Sequence, residues 1–297
     1  MDDDRSAASD PPVHDRRGEL LVEARDAASR RRPAQLLAQW ADDSLVVPSA
    51  VDLRTSVALD ALALAAASDH EALLLSPVAP LGATSVLGPT SQDRVLSTIR
   101  PVEVVSDPTN VLALEAAARI RRSPDEEVRL CTVHQTLRMQ PAPAGRARTR
   151  HFRMFAMADA GRARADDGFE VAAVMRQLGA YRRLLEAAAA AGLGAGDRPR
   201  AIVRADDGHA VLGDRVAAAI AAAWPGVEIV REALANAAYY DGLRVGYGVH
   251  RRGGDSATFV ELVDLGRFDW VGQLTSDRRN RLMASAIGIQ LLPLLFA

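Results

Sequence analysis

The chain has 297 residues, 48% hydrophobic and 25% charged, with a formal net charge of -2. That balance fits a globular protein of one large or two small domains and excludes a general nucleic-acid or anionic-membrane binder. All 36 basic residues are arginine and Cys131 is the sole cysteine, which excludes Schiff-base and lysine-relay chemistry, an internal disulfide and a thiolate metal cage.

The opening stretch MDDDRSAASDPPVHDRRGE is polar and acidic and predicts a disordered leader, not a secretory signal. Gly18 to Trp40 has a helical pattern that Pro33 divides in two. LVVPSAVDL reads as extended, SVALDALALAAASDHE as a helix, and ALLLSPVAPL as a strand running into a proline bend. PVEVVSDPTN predicts a second short strand ending in a turn, and VLALEAAARIRRS a helix whose basic last turn suits the helix dipole. VRLCTVHQTLRM and RHFRMFAMAD then read as antiparallel strands joined by the arginine-rich loop QPAPAGRART. GFEVAAVMRQLGAYRRLLEAAAAAG is the clearest helix in the chain. RAIVRA, GDRVAAAIAAAWPG and VEIVREALA form a small strand–helix–strand unit. YYDGLRVGYGVH and SATFVELVDL predict two more strands, and the apolar MASAIGIQLLPLLF closes the chain. RADDG occurs at Arg164–Gly168 and Arg204–Gly208 and reads as two polar turns. Strand runs interrupted by helices predict an α+β fold with a mostly antiparallel sheet. No apolar run reaches the ~18 residues of a membrane span, so a cytoplasmic protein without a membrane partner is expected.

Chemistry-bearing residues are sparse. The six histidines are scattered without i, i+4 pairing, and ADDGH at Ala205–His209 lacks the downstream glutamate of a calcium loop, so no metal site is expected. No dinucleotide or P-loop glycine turn and no nucleophile elbow occur. The one conspicuous cluster is Arg138, Arg146, Arg148, Arg150 and Arg153. Guanidinium forks match phosphates and carboxylates, and Arg138, between Leu137 and Met139, is placed to point inward; the others either solvate a hairpin tip or meet an anion.

Taken together, the segments from Val46 to Phe296 resemble the catalytic core of histidyl-tRNA synthetase and its paralogue, the regulatory subunit of ATP phosphoribosyltransferase. VRLCTVHQTLRMQPAPAGRARTRHFRMFAMADAG follows the family's second motif. LGRFD at Leu265–Asp269, YYDG at Tyr239–Gly242 and SAIGIQLL at Ser285–Leu292 stand where the family has GGRYD, YYTG and GIGIER. VVSDPTN aligns more loosely with LRPD-x-T, through Asp107 and Thr109. The resemblance implies a class II synthetase-like core over residues 46–297, flanked by helices and carrying a small α/β insertion near 168–235. Residues 1–45 are then an extension, disordered and then helical, and no anticodon-binding domain is expected. It also implies a homodimer and a pocket for a small amino-acid-like ligand built from Asp107, Thr109, Arg138, Gln140, Tyr239, Tyr240, Gly266 and Arg267.

The departures from the family set the functional expectation. Arg138 keeps the arginine that grips the ATP α-phosphate in the family, but the adjacent glutamate is Gln140. The third-motif arginine falls at Leu291 and its preceding glutamate at Gln290, with Pro293 expected to interrupt the following helix. The histidine-specific RGLDYYTG is ANAAYYDG, which puts Ala235 at a catalytic arginine; further polar positions become Met154 and Ala158. One preorganised donor at developing charge is often worth about 3 kcal/mol, so two lost arginines cost orders of magnitude in rate. The resemblance therefore implies a subunit without tRNA charging and without a cofactor. On the phosphoribosyltransferase precedent it would sense a ligand, in a hetero-oligomer with a catalytic subunit in histidine biosynthesis. Two alternatives stay open: a stand-alone ligase that uses ATP and magnesium to adenylate a carboxylic acid, and a scaffold dimer without a ligand.

Overall fold

A computed structural model describes residues 13–141, 149–194, 196–235, 238–251 and 258–296; Arg146, Arg148 and the leader over residues 1–12 lie outside the described residues. α1 (Val13–Ser29) and α2 (Pro33–Asp42) meet at Pro33, the first residue of α2, where a missing amide hydrogen costs nothing. α2 buries no residue. The segment predicted as extended is instead irregular with a turn over Ser44–Val46. It leads into α3 (Leu53–Ala66), whose N-cap Asp52 accepts the Arg54 and Thr55 amides.

The single strand expected from ALLLSPVAPL is divided. β1 (Glu71–Ala72) runs parallel to β4, whereas β2 (Val78–Pro80) pairs with β3 (Val102–Val104) in a separate small sheet. Pro77 has no amide hydrogen for a ladder, and the Ser76 hydroxyl takes the Val78 amide at 3.2 Å. α4 (Ala83–Leu87) lies between β2 and β3, and α5 (Pro108–Arg122) follows β3. β4 (Val128–Leu137) and β5 (His151–Arg162) form the predicted hairpin, from Val128 opposite Ala160 to Leu137 opposite His151.

Beyond α6 (Gly168–Ala190), β6 (Gly196–Ala205), α7 (Ala210–Ala223) and β7 (Glu228–Ala233) form the expected parallel unit. That unit continues the main sheet, because β6 also pairs antiparallel with β8 (Leu243–Arg251). β9 (Phe259–Phe268), α8 (Trp270–Thr275), β10 (Asn280–Gly288) and α9 (Leu291–Phe296) complete the described chain. Pro293 does not interrupt α9: it lies in the first turn, where backbone amides have no intrahelical acceptor to lose. Both RADDG copies are turns entering helices, with Asp166 and Asp167 at positive φ in the first.

The large sheet has the order β1-β4-β5-β10-β9-β8-β6-β7 and is antiparallel except at β1–β4 and β6–β7. This is the α+β architecture expected from the sequence. α3, α6 and α7 bury one face around Leu59, Phe155, Leu178, Tyr181 and Val216. α5 and α8 cover part of the other around Leu112, Leu130, Ala158 and Trp270, which leaves the neighbouring part of that face to form a cavity. No helix among the described residues is long and apolar enough to cross a membrane.

A buried polar chain crosses the first core. Asp159 on β5 accepts from Gln177 at 2.6 Å, pairs with Arg176, and lies 3.0 Å from His70 Nε2. Gln177 in turn accepts from Ser285, whose hydroxyl meets that of Tyr181. Burial pushes the His70 pKa down, but hydrogen bonds and charge from Asp159 and Asp69 outweigh it and raise it above the ordinary histidine value. A raised folded pKa gives stability that is complete below the unfolded pKa and fades as pH climbs through the folded one. The stability gap between the natural protein and His70→Gln, measured by urea unfolding, is therefore expected to be wider near pH ~6 than near pH ~9. An equal gap at both values would remove the charged His70 from the account.

Candidate functional site

A cavity of about 880 Å³ lies over the end of the β4–β5 hairpin and the facing parts of β9 and β10. It shares six residues with an adjoining recess of about 270 Å³: Asp107, Arg138, Gln140, Tyr239, Tyr240 and Asp264. Thr109 also lines the larger space. Six of the eight predicted site residues, from three separate stretches of chain, thus meet at one place.

Arg138 follows β4 directly and continues its pairing, its amide donating to the Arg150 carbonyl at 2.8 Å. Its Nε donates to the Ser106 carbonyl at 3.1 Å, its Nη2 stands 3.9 Å from Asp107 Oδ2, and its guanidinium carbon lies 5.2 Å from the Phe152 ring centre. Asp107 is the N-cap of α5, and its Oδ1 accepts the Thr109 amide at 3.0 Å and hydroxyl at 2.7 Å. A capped first turn fixes this carboxylate in place.

The two tyrosines pack and face the cavity at once. Tyr239 meets Tyr240, Phe268 and Trp270 edge to face, at 4.9, 5.6 and 5.9 Å between ring centres. Tyr240 donates its hydroxyl to Asp264 Oδ2 at 2.7 Å, and Arg244 Nε donates to Asp264 Oδ1 at 2.9 Å. Burial, with the charge of Asp107 at Tyr239 and of Asp264 at Tyr240, pushes both phenols well above their usual range. Both stay neutral hydrogen-bond donors in ordinary buffers.

Gly266 and Arg267 do not line the cavity. Successive β9 residues point to opposite faces, so Gly266 shares a face with Asp264 while Arg267 turns away. A Cβ at Gly266 would stand 2.4 Å from Tyr240 Cδ1, so the missing side chain makes room for that ring. Arg267 is buried against Asp241, at 3.2 Å, and Glu170 on α6, at 3.6 Å. Gly266 thus seats Tyr240 on the cavity face, and Arg267 supports the strand from the opposite one.

The arginine loop also divides. Arg153 belongs to β5 and clamps Asp60 of α3 with contacts of 2.5 and 2.8 Å, so it neither sits in a loop nor serves the cavity. Arg150 lines the cavity; its Nη1 donates to the Met139 carbonyl at 3.2 Å, and its buried Nε has no partner among the described residues. Gln290, at the family's third-motif glutamate position, accepts the Arg153 amide at 3.1 Å and reaches Ser49 and Ser56.

Sequence reasoning missed several wall residues. The segment after α2 contributes Ser44, Val47 and Pro48 and is held by hydrogen bonds from Arg150 N to Ser44 O and between His151 and the Val47 carbonyl. No local signal marks it. Asp264 was within reach, two residues before Gly266 in the alternation of β9. Asn110, 2% exposed, lines the recess, and its Oδ1, like Gln140 Oε1, has no hydrogen-bond partner among the described residues. No group of three or more histidine, cysteine or carboxylate side chains suited to a metal occurs among the described residues.

No protein-family model and no curated protein matches the sequence. The fold does match solved structures. Histidyl-tRNA synthetase from S. aureus superimposes with a TM-score of 0.56 at 12% identity, over 81% of this chain and 64% of that one; this chain therefore spans under two thirds of that enzyme. An ATP phosphoribosyltransferase regulatory subunit/histidyl-tRNA synthetase from Bacillus halodurans gives 0.62 at 9% identity, over 86% and 83%. A histidine–tRNA ligase subunit from Alicyclobacillus acidocaldarius gives 0.54 at 12%, over 84% and 95%. The protein has the class II aminoacyl-tRNA synthetase-like fold that the sequence motifs implied.

Proposed function

We propose that the protein is a non-charging relative of histidyl-tRNA synthetase whose cavity binds a small ligand and whose ligand state regulates a partner. The precedent is the regulatory subunit of ATP phosphoribosyltransferase, and the proposed partner is a phosphoribosyltransferase catalytic subunit, with this chain as a homodimer. A ligand that favours one conformer shifts the partner's activity by linkage, without chemistry in this chain.

The observation that carries the reading is the use made of the third-motif positions. Leu291 puts an alkyl group into the cavity wall, and Gln290 is spent on holding β5 and the segment around Ser49. Neither offers charge to a triphosphate. With ATP, magnesium and each standard amino acid, pyrophosphate exchange is expected to stay at background, and a phosphoribosyltransferase catalytic subunit should co-elute with the protein on gel filtration. Exchange above background, abolished by Arg138→Ala, would sink this reading.

One observation favours the second reading, a ligase that adenylates a carboxylic acid. Arg150, whose Nε has no partner among the described residues, is a second guanidinium in the cavity wall with Arg138. Exchange that required both arginines would establish it.

A further inference from the structure

The cavity has two unlike halves, and their chemistry narrows the ligand. The shared polar end carries Arg94 and Arg138 against Asp107 and Asp264, a balance of charge with no net sign. Two acceptors there, Asn110 Oδ1 and Gln140 Oε1, are buried without partners among the described residues. A buried unsatisfied acceptor costs about 1–3 kcal/mol unless something donates to it, so these two oxygens are placed to accept from a ligand, and an ammonium group supplies three donors. Arg138 uses Nε on the Ser106 carbonyl, and no described residue accepts from its Nη1, so that donor of the fork is available to a carboxylate.

The rest of the larger space is predominantly apolar. Val47, Pro48, Phe152, Met154, Leu291 and Leu294 line it, and its two charged members, Asp42 and Arg150, have opposite signs. Gly288 keeps the floor low between Leu291 and Phe152: a Cβ there would stand 3.4 and 3.9 Å from them. The volume of about 880 Å³ lies in the upper part of the range for small-molecule pockets, so a ligand that fills it must carry a sizeable body. Arg138 over the Phe152 ring marks the junction of the two halves.

We infer that the ligand is an amino acid with a large aromatic or aliphatic side chain. Its ammonium group lies among Asp107, Asn110 and Gln140, its carboxylate on Arg138, and its apolar body against Phe152, Met154 and Leu291. The inference rests on the reading that this cavity binds a small ligand, and it ranks histidine below the apolar side chains, because an imidazole gives up more hydration against a mostly alkyl and aromatic wall.

Calorimetric titration of the full chain with glycine, alanine, leucine, phenylalanine, tryptophan, histidine and ATP with magnesium tests it. Affinity is expected to rise along the apolar series by roughly fourfold per buried methylene, with histidine and nucleotide at least about tenfold weaker than phenylalanine. Asn110→Ala should weaken phenylalanine binding by about tenfold without lowering the unfolding midpoint of the ligand-free protein, since it removes a buried acceptor that no described residue satisfies. Leu291→Arg should abolish the preference for apolar side chains. Tighter binding of histidine or ATP than of phenylalanine, saturation by magnesium alone, or silence with every apolar amino acid would each overturn the inference. Histidine binding without pyrophosphate exchange would leave the sensing reading standing. Exchange would remove that reading whatever the side-chain preference.

Discussion

Asp159→Ala is expected to destabilise the protein by about 3–5 kcal/mol. Asp159 is fully buried on β5 and has three partners from two other elements: His70 after α3, and Arg176 and Gln177 on α6. Removing the carboxylate leaves the Arg176 guanidinium with Glu127 at 3.1 Å as its close partner, and takes from His70 the charge that most raises its pKa. Gln177 loses an acceptor in a buried site, and through Ser285 the change reaches Tyr181. Asp159→Asn keeps the shape and one acceptor but not the charge, and should fall between. Chemical unfolding of the three proteins near neutral pH measures this; a loss under about 1 kcal/mol for Asp159→Ala would show that the pairing merely offsets its own desolvation.

Trp270→Ala should cost a comparable amount, about 3–5 kcal/mol, and lower the thermal midpoint by on the order of 10 °C. Trp270 opens α8, is 1% exposed, and stacks on Phe268 with 4.1 Å between ring centres. Tyr239 leans edge-on against the same pair. Aromatic contacts of this kind add about 0.5–1.5 kcal/mol beyond burial, so truncation leaves both a void and a loose cavity wall. Ligand affinity should therefore fall with stability. Trp270→Phe should recover most of both, because a smaller ring still closes the void in part. If Trp270→Ala lost stability but bound ligand normally, the aromatic cluster would be core alone and the placement of Tyr239 would depend on other contacts.

Much of the site was legible in the sequence because its motifs are local. PVEVVSDPTN reads as a strand ending in a turn, and the fold makes Asp107 of that turn the N-cap of α5; the hairpin that delivers Arg138 follows from two apolar runs of matched length. Arg267 was misplaced for a physical reason equally plain. Adjacent strand residues face opposite ways, so the motif that brings Gly266 under Tyr240 sends Arg267 to the other side of the sheet. The arginine cluster looked uniform along the chain, yet Arg153 is bound to α3 and Arg150 faces the cavity. Nothing in the spacing of the arginines distinguishes those fates. The broken strand between Glu71 and Pro80 belongs to the same class, since its two pieces pair with partners about sixty and twenty-five residues away, Leu130 and Val104.

The sequence alone determined the order and type of most elements, the α+β class and the absence of lysine chemistry. Each depends on periodicity, turn residues or composition, which act over a few neighbours. Only the tertiary structure decided that the segment after α2 closes the cavity, that Asn110 and Gln140 leave acceptors unpaired beside it, and that Gln290 is occupied with Ser49. That last contact spans 241 residues. Burial and hydrogen-bond satisfaction are set by which surfaces meet across such distances, and no local pattern in the chain encodes them.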